Sequence, residues 1–125
     1  IGLQPQSVHG SYKVYGKKKG EQTQILKDLF FLEDAGVFSV VIECTIQNLV
    51  KKVIKNSKVP IIGIGATPEC NGQILVAEDL LGLTQFDSKF LKKFENLNLR
   101  ISKAFNKFSK DVKNRKYPQK KNCYK

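Results

Sequence analysis

The sequence predicts an α/β fold built on parallel strands, and two observations support this prediction. Two short apolar runs rich in β-branched residues, 38–44 and 59–66, have the continuous hydrophobicity of strands buried on both faces. A helical pattern lies between them, and a strand, a helix and a strand within about thirty residues require a parallel sheet. The chain of 125 residues is long enough for one domain with its own core.

The first predicted helix covers residues 21–36. Its apolar positions recur at spacings of four, three and four, as on one face of a packed helix: Ile25, Leu29, Leu32 and Gly36. Gly36 is expected to end this helix, because a residue in the left-handed conformation commonly follows the last helical turn.

The run 38–44 is predicted to be the first buried strand. Side chains alternate along a strand, so Glu43 lies on the face opposite to that of Phe38, Val40 and Ile42. Glu43 also lies at the carboxyl end of the strand, which is where parallel α/β folds carry out their chemistry. A glutamate at this position can equally reach solvent or pair with a lysine, so both interpretations stay open.

Thr45 is predicted to cap a second helix, whose buried stripe is formed by Ile46, Leu49, Val50, Val53 and Ile54. The second strand, 59–66, follows. Gly63 and Gly65 near its end do not complete a dinucleotide-binding fingerprint, since Pro68 stands where the third glycine belongs. We expect these glycines to let a ligand or a loop approach the backbone closely.

Residues 73–76 are predicted to form a short third strand, and Glu78 and Asp79 are predicted to be ordinary acids of a first helical turn. From Asp87 a long amphipathic helix is predicted, and its apolar face is expected to pack on its own domain. That face comprises Phe90, Phe94, Leu97, Ile101, Phe105, Phe108 and Val112. We expect residues 118–125 to be a disordered polar tail beyond a single domain of residues 1–117.

The net charge of +11 is concentrated near the C-terminus. Residues 1–86 carry nine basic and eight acidic side chains, whereas residues 87–125 carry thirteen basic and three acidic ones. Twenty of the 22 basic residues are lysine, while phosphate and base-edge recognition favours arginine. A solvated basic face therefore explains the charge better than nucleic-acid binding, and a lysine-rich nucleic-acid or anion-binding module is kept as an alternative.

The three cysteines are widely spaced and have no histidine partners at zinc spacing, so they are predicted to be free thiols in a reducing cytosol. His9 is the only histidine and is predicted to be a loop residue without a metal. No apolar run approaches the roughly 18 residues of a membrane span, so a cytoplasmic protein without a membrane partner is expected. The chain contains no methionine, and we expect it to be a piece of a longer one.

Four motifs in order resemble the C-terminal half of the ketopantoate hydroxymethyltransferase family. They are Val-Ile-Glu-Cys at 41–44, Val-Pro-Ile-Ile-Gly-Ile-Gly-Ala at 59–66, Asn-Gly-Gln-Ile-Leu-Val at 71–76 and Asp-Leu-Leu-Gly-Leu at 79–83. The opening segments 2–8 and 12–16 look like the same family's loop before its helix. The resemblance runs in register from Ile1 to about residue 117.

The resemblance implies half of a (β/α)8 TIM barrel that takes part in pantothenate biosynthesis. The implied reaction transfers a hydroxymethyl group from 5,10-methylenetetrahydrofolate to 3-methyl-2-oxobutanoate, with Mg²⁺, to give 2-dehydropantoate. It assigns Glu43 as the proton acceptor, a role that suits a carboxylate placed beside a ketone. Ile64, Ile74 and Val76 match positions that line the oxoacid pocket. It also implies small-molecule partners, no nucleic acid, and a homo-oligomer at full length.

The chain also departs from the family pattern. The family's metal-binding acids and its substrate lysine lie in an N-terminal half that this sequence lacks, so no metal ligand is assigned in the chain. Glu78 stands where family members often carry histidine, and a short deletion follows His9. A barrel needs roughly 250 residues, so the isolated segment is expected to be inactive. A related metal-dependent barrel enzyme acting on a small 2-oxoacid is the alternative within enzymes.

Overall fold

The computed structural model describes residues 1–2, 13–85 and 87–124. Its elements are helix α1 (Lys19–Asp34), strand β1 (Val40–Glu43), helix α2 (Gln47–Asn56), strands β2 (Ile61–Ile64) and β3 (Gly72–Gln73), helices α3 (Ala77–Leu80) and α4 (Leu97–Lys113), and a 3-10 helix (Lys120–Asn122). The chain divides into two compact units, Ile1–Leu75 and Val76–Lys125. None of the helices in the described ranges is long and apolar enough to cross a membrane.

Helix α1 begins two residues before its predicted start because the carboxylate of Glu21 holds the preceding backbone. This carboxylate accepts hydrogen bonds from the N–H groups of Gly16 (3.0 Å) and Lys18 (3.4 Å). The predicted stop at Gly36 is confirmed, with φ at +80°. The N–H of Gly36 donates to Glu33 and the N–H of Val37 donates to Leu32, which is the Schellman arrangement of a glycine-terminated helix.

The predicted strand, helix and strand unit is confirmed. Strands β1 and β2 pair in parallel, with Val40 opposite Ile61 and Glu43 opposite Ile64, and α2 connects them. The first strand is shorter than the predicted run 38–44. Phe38 precedes it and is 89% exposed, so the prediction of a buried Phe38 is wrong.

The predicted helix cap at Thr45 is also wrong. The hydroxyl of Thr45 donates to the carbonyl of Glu43 at 3.0 Å, and α2 starts after Ile46 without a side-chain cap. The predicted stripe of α2 is nevertheless the one that faces the core. It joins α1 and the inner sheet face in a cluster of buried apolar side chains: Ile25, Leu29, Val40, Ile42, Leu49, Val50, Val53 and Ile61.

The third strand covers only Gly72–Gln73 and pairs in parallel with β2, which gives the strand order β1, β2, β3. The N–H of Ile74 still donates to the carbonyl of Gly63 at 3.0 Å. The strand does not extend to Val76 as predicted, because Val76 is the residue that precedes α3. Glu78 and Asp79 are acids of the first turn of α3, as expected.

The second unit departs most from the predictions. Helix α4 begins at Leu97, ten residues after the predicted start at Asp87, because the side chain of Asn96 accepts a hydrogen bond from the N–H of Leu99 and caps the helix there. Phe90 and Phe94 therefore lie outside the helix.

The expectation that the apolar face of α4 packs on its own domain is wrong for the described residues. Four of its side chains are between 44% and 70% exposed: Ile101, Phe105, Phe108 and Val112. The expected disorder of the tail is wrong for residues 118–124, which include the 3-10 helix. The ring of Tyr117 packs edge-on against Phe108, with 5.5 Å between the ring centroids.

Candidate active site

The sheet of the first unit has one buried face and one partly open face. Val40, Ile42 and Ile61 point into the core and are at most 3% exposed. Their neighbours along the strands point to the opposite face, where Val41 is 39% exposed and Glu43, Ile62 and Ile64 are partly buried. The parallel register places Glu43 directly opposite Ile64, so these two predicted site residues lie side by side on the open face.

Glu43 is the last residue of β1, and its backbone is held on both sides. Its N–H donates to the carbonyl of Ile1 at 3.2 Å, within a parallel bridge between Gly2 and Glu43. Its carbonyl accepts the hydroxyl of Thr45. Its carboxylate makes no hydrogen bond or ion pair with any residue that the structure describes. The predicted alternative of pairing with a lysine is therefore not observed within the described part of the chain.

Burial shifts the acidity of Glu43. Partial removal from water raises the pKa of its carboxyl group above the ordinary glutamate value. A carboxylate with a raised pKa is a stronger base, and proton abstraction is most efficient when the pKa of the base approaches the working pH. The environment of Glu43 therefore suits a general base.

A strained turn follows Glu43 and sets the direction in which the backbone leaves β1. Cys44 has φ at +48°, a left-handed conformation that is uncommon for residues other than glycine. Two backbone hydrogen bonds to Tyr15 hold this turn. The carbonyl of Cys44 accepts from the N–H of Tyr15 at 2.7 Å, and the N–H of Ile46 donates to the carbonyl of Tyr15 at 3.0 Å. Sequence reasoning missed this role of Tyr15, because a backbone bond leaves no signature in residue type.

The other predicted pocket residues occupy different places. Ile74 follows β3 in the first unit and is 50% exposed. Val76 belongs to the second unit, where it is 54% exposed. The structure thus brings Glu43 and Ile64 together and places Ile74 on the strand segment that follows β3 beside β2, whereas Val76 is part of a separate unit. His9 and the deletion after it lie outside the described residues.

The cysteines are free thiols, as predicted: Cys44, Cys70 and Cys123 form no disulfide. Burial raises the pKa values of the Cys44 and Cys70 thiols, so neither is activated as a thiolate nucleophile. Within residues 1–2, 13–85 and 87–124, no three His, Cys, Asp or Glu side chains are placed to hold a metal ion. These residues do not fit a Mg²⁺ site of their own.

Comparison with known proteins gives a consistent result. A family model described as ketopantoate hydroxymethyltransferase matches residues 1–120. A protein of Pelagibacter ubique named 3-methyl-2-oxobutanoate hydroxymethyltransferase is 46% identical over 124 residues, which are 99% of this chain and 48% of that protein. A protein of Sulfolobus acidocaldarius with the same name is 48% identical over 121 residues, 95% of this chain and 45% of its own length.

A third relative, from Saccharolobus islandicus and again of that name, is 48% identical over 122 residues, 96% of this chain and 46% of that protein. The chain therefore spans about half the length of the curated relatives that it matches.

Proposed function

The chain belongs to the ketopantoate hydroxymethyltransferase family, which is a family of enzymes, and we propose that it forms the C-terminal half of such a transferase. In the proposed reaction, C3 of 3-methyl-2-oxobutanoate loses a proton and forms a bond to the one-carbon unit of 5,10-methylenetetrahydrofolate. A water molecule supplies the hydroxyl oxygen, and the products are 2-dehydropantoate and tetrahydrofolate.

Glu43 is the proposed base that removes the C3 proton. The observation that carries this proposal is a carboxylate at the carboxyl end of a parallel strand, on the open sheet face and opposite Ile64, with no hydrogen-bond or ion-pair partner among residues 1–2, 13–85 and 87–124. A carboxylate that makes no ion pair is free to accept a proton. Its raised pKa supports the same role, because a general base works best when its pKa lies near the pH of the reaction.

Ile64, Ile74 and Val76 are proposed to line the apolar side of the oxoacid pocket. All three retain exposed surface, and the isopropyl group of 3-methyl-2-oxobutanoate is the part of the substrate that such surface would cover.

The proposed architecture is half of a (β/α)8 barrel. Three parallel strands that lie in the sheet in their order along the chain support it, as does the parallel bridge from Gly2 to β1 at the other edge. The open sheet face that carries Glu43 would then line the interior of the barrel. Mg²⁺ is expected for the family, but the described residues do not fit it, and no step of the proposed reaction is assigned to a metal.

The proposal is tested with the full-length protein that contains this chain. We expect formation of 2-dehydropantoate that depends on both 3-methyl-2-oxobutanoate and 5,10-methylenetetrahydrofolate, while the isolated 125-residue chain gives no turnover. As a control, one-carbon transfer is measured with pyruvate in place of the branched oxoacid. A full-length protein that cleaves or rearranges a 2-oxoacid without using the folate would contradict the proposal and favour the related barrel enzyme.

A further inference from the structure

Gln73 occupies space that Gly63 leaves open. The two residues are register partners on β3 and β2, and they lie on the sheet face opposite to that of Glu43. A Cβ atom at Gly63 would lie 2.8 Å from Nε2 and 2.9 Å from Oε1 of Gln73. The side-chain amide of Gln73 therefore lies directly over the Gly63 backbone, in a position that any larger residue at 63 would close. The close approach that Gly63 was predicted to allow is made here by the side chain of Gln73.

From this position the amide of Gln73 bonds to the loop that follows β2 at two points. Its Oε1 accepts the N–H of Gly65 at 3.2 Å, and its Nε2 donates to the carbonyl of Thr67 at 2.8 Å. Gly65 has φ at +60°, so the chain turns sharply at the first of these points. Only a side chain that carries both an acceptor and a donor satisfies the two backbone groups together, which glutamine does and glutamate or leucine does not.

Thr67 connects the loop to the rest of the unit. It is 4% exposed, and its hydroxyl accepts a hydrogen bond from the side chain of Gln47 on α2 at 3.3 Å. The loop 65–67 is therefore held between β3 and α2. It continues directly from Ile64, the residue opposite Glu43, so its position determines how the strand ends beside the candidate base.

We infer that Gln73 is a positioning residue: its amide fixes the loop 65–67 at the end of β2 and thereby sets the placement of the oxoacid beside Glu43. The inference rests on the proposed function. Gln73 itself touches neither the substrate nor the carboxylate, because its side chain lies on the other face of the sheet. Its effect is exerted through the backbone of Gly65 and Thr67.

The test compares Gln73→Leu with a matched variant, Gln24→Leu, in the full-length protein. Gln24 lies on the exposed surface of α1 and bonds only to Asp28 among the described residues. We expect kcat/KM for 3-methyl-2-oxobutanoate to fall by about 10- to 100-fold in Gln73→Leu, mainly through KM, because small displacements at a binding site have effects of this size. Gln24→Leu should keep the wild-type value.

Two further readouts separate positioning from general destabilisation. Hydrogen exchange at the amide of Gly65, followed by mass spectrometry, should become faster in Gln73→Leu and not in Gln24→Leu. The pH at which activity is half-maximal should stay unchanged, because the Glu43 carboxylate keeps its surroundings. If Gln73→Leu does not fold, Gln73→Glu decides, since it keeps the shape and the acceptor but cannot donate to Thr67 when ionised.

Wild-type kcat/KM in a folded Gln73 variant, or unchanged exchange at Gly65, would overturn the inference. An inactive wild-type protein would instead contradict the proposed function, so the two failures are distinguishable.

Discussion

Helix α2 in the first unit and helix α4 in the second both have an apolar face, but only the face of α2 is buried. Leu49, Val50 and Val53 of α2 are at most 1% exposed, whereas Phe105 and Phe108 of α4 are 70% and 54% exposed. The periodicity of apolar residues thus predicts that a helix forms and which of its faces is apolar. It does not predict which surface covers that face.

Chain connectivity explains the difference. Helix α2 joins two parallel neighbouring strands, and such a crossover must pack its helix against the sheet. Within the described residues, α4 is followed only by the 3-10 helix and no strand. Its position in the chain therefore does not indicate what lies against it.

The largest effect on stability is expected from shortening a core residue of α2. Leu49→Ala should lower the free energy of unfolding by roughly 2–5 kcal/mol, because the removed atoms leave a cavity among buried side chains. Urea denaturation of the full-length protein measures this change. A loss below about 1 kcal/mol would mean that the core of the first unit is not packed as described.

The C-termini of α1 and α4 offer a smaller, matched comparison. Both helices end in the same hydrogen-bond arrangement, but the left-handed residue is Gly36 in α1 (φ +80°) and Arg115 in α4 (φ +55°). Gly36→Ala should destabilise α1 by about 1 kcal/mol, and Arg115→Gly should stabilise the end of α4 by a similar amount.

Hydrogen exchange in the last turn of each helix measures both effects. Gly20→Ala is the control for a glycine with a helical backbone. Gly20 lies within α1, and a Cβ atom added there would have no other atom within 4 Å. Equal signs for the Gly36 and Arg115 variants would contradict this account of the two helix ends.

The smallest effect is expected on the exposed face of α4. Phe105→Ser should change the free energy of unfolding by less than about 0.5 kcal/mol, as is usual for surface positions. Differential scanning calorimetry of the Phe105→Ser and Leu49→Ala variants of the full-length protein compares the two losses of stability. A loss comparable to that of Leu49→Ala would show that another surface covers the face of α4 in solution.

Much of the first unit could be predicted from sequence, because its signals are local. The spacing of Ile25, Leu29 and Leu32, the stop at Gly36 and the apolar strand runs each depend on neighbouring residues only. The placement of Glu43 at a strand end follows from the same patterns.

The errors arose where a single hydrogen bond decides between similar patterns. Asn96 starts α4 ten residues later than the apolar spacing suggests, because its side chain caps the helix that begins at Leu97. Thr45 bonds to the carbonyl of Glu43 instead of capping α2. The left-handed turn at Cys44 is held by Tyr15, which is distant in the chain. The amide of Gln73 bonds back across a loop to Thr67 and Gly65, six and eight residues earlier, so no helix or strand periodicity reports these bonds.

The acidity of Glu43 gives a pH prediction for the proposed reaction. The base is active when ionised, and its raised pKa means that it becomes protonated at a higher pH than an ordinary glutamate. As pH falls, exchange of the C3 hydrogen of 3-methyl-2-oxobutanoate should therefore be lost at a higher pH than the pKa of an ordinary glutamate would give. The pH dependence of exchange in deuterated water measures this, and a midpoint within or below the ordinary glutamate range would contradict the raised pKa.

The most direct test of Glu43 as the base measures exchange of the C3 hydrogen of 3-methyl-2-oxobutanoate with deuterated water in the Glu43→Gln variant of the full-length protein. Glutamine keeps the size of the side chain but cannot accept the proton, so the exchange rate should fall by about 100-fold or more. Folding should be unaffected, because the carboxylate has no partner among the described residues. Glu78→Gln, in the exposed first turn of α3, is the matched control and should exchange at close to the wild-type rate. Wild-type exchange in Glu43→Gln would show that another residue is the base.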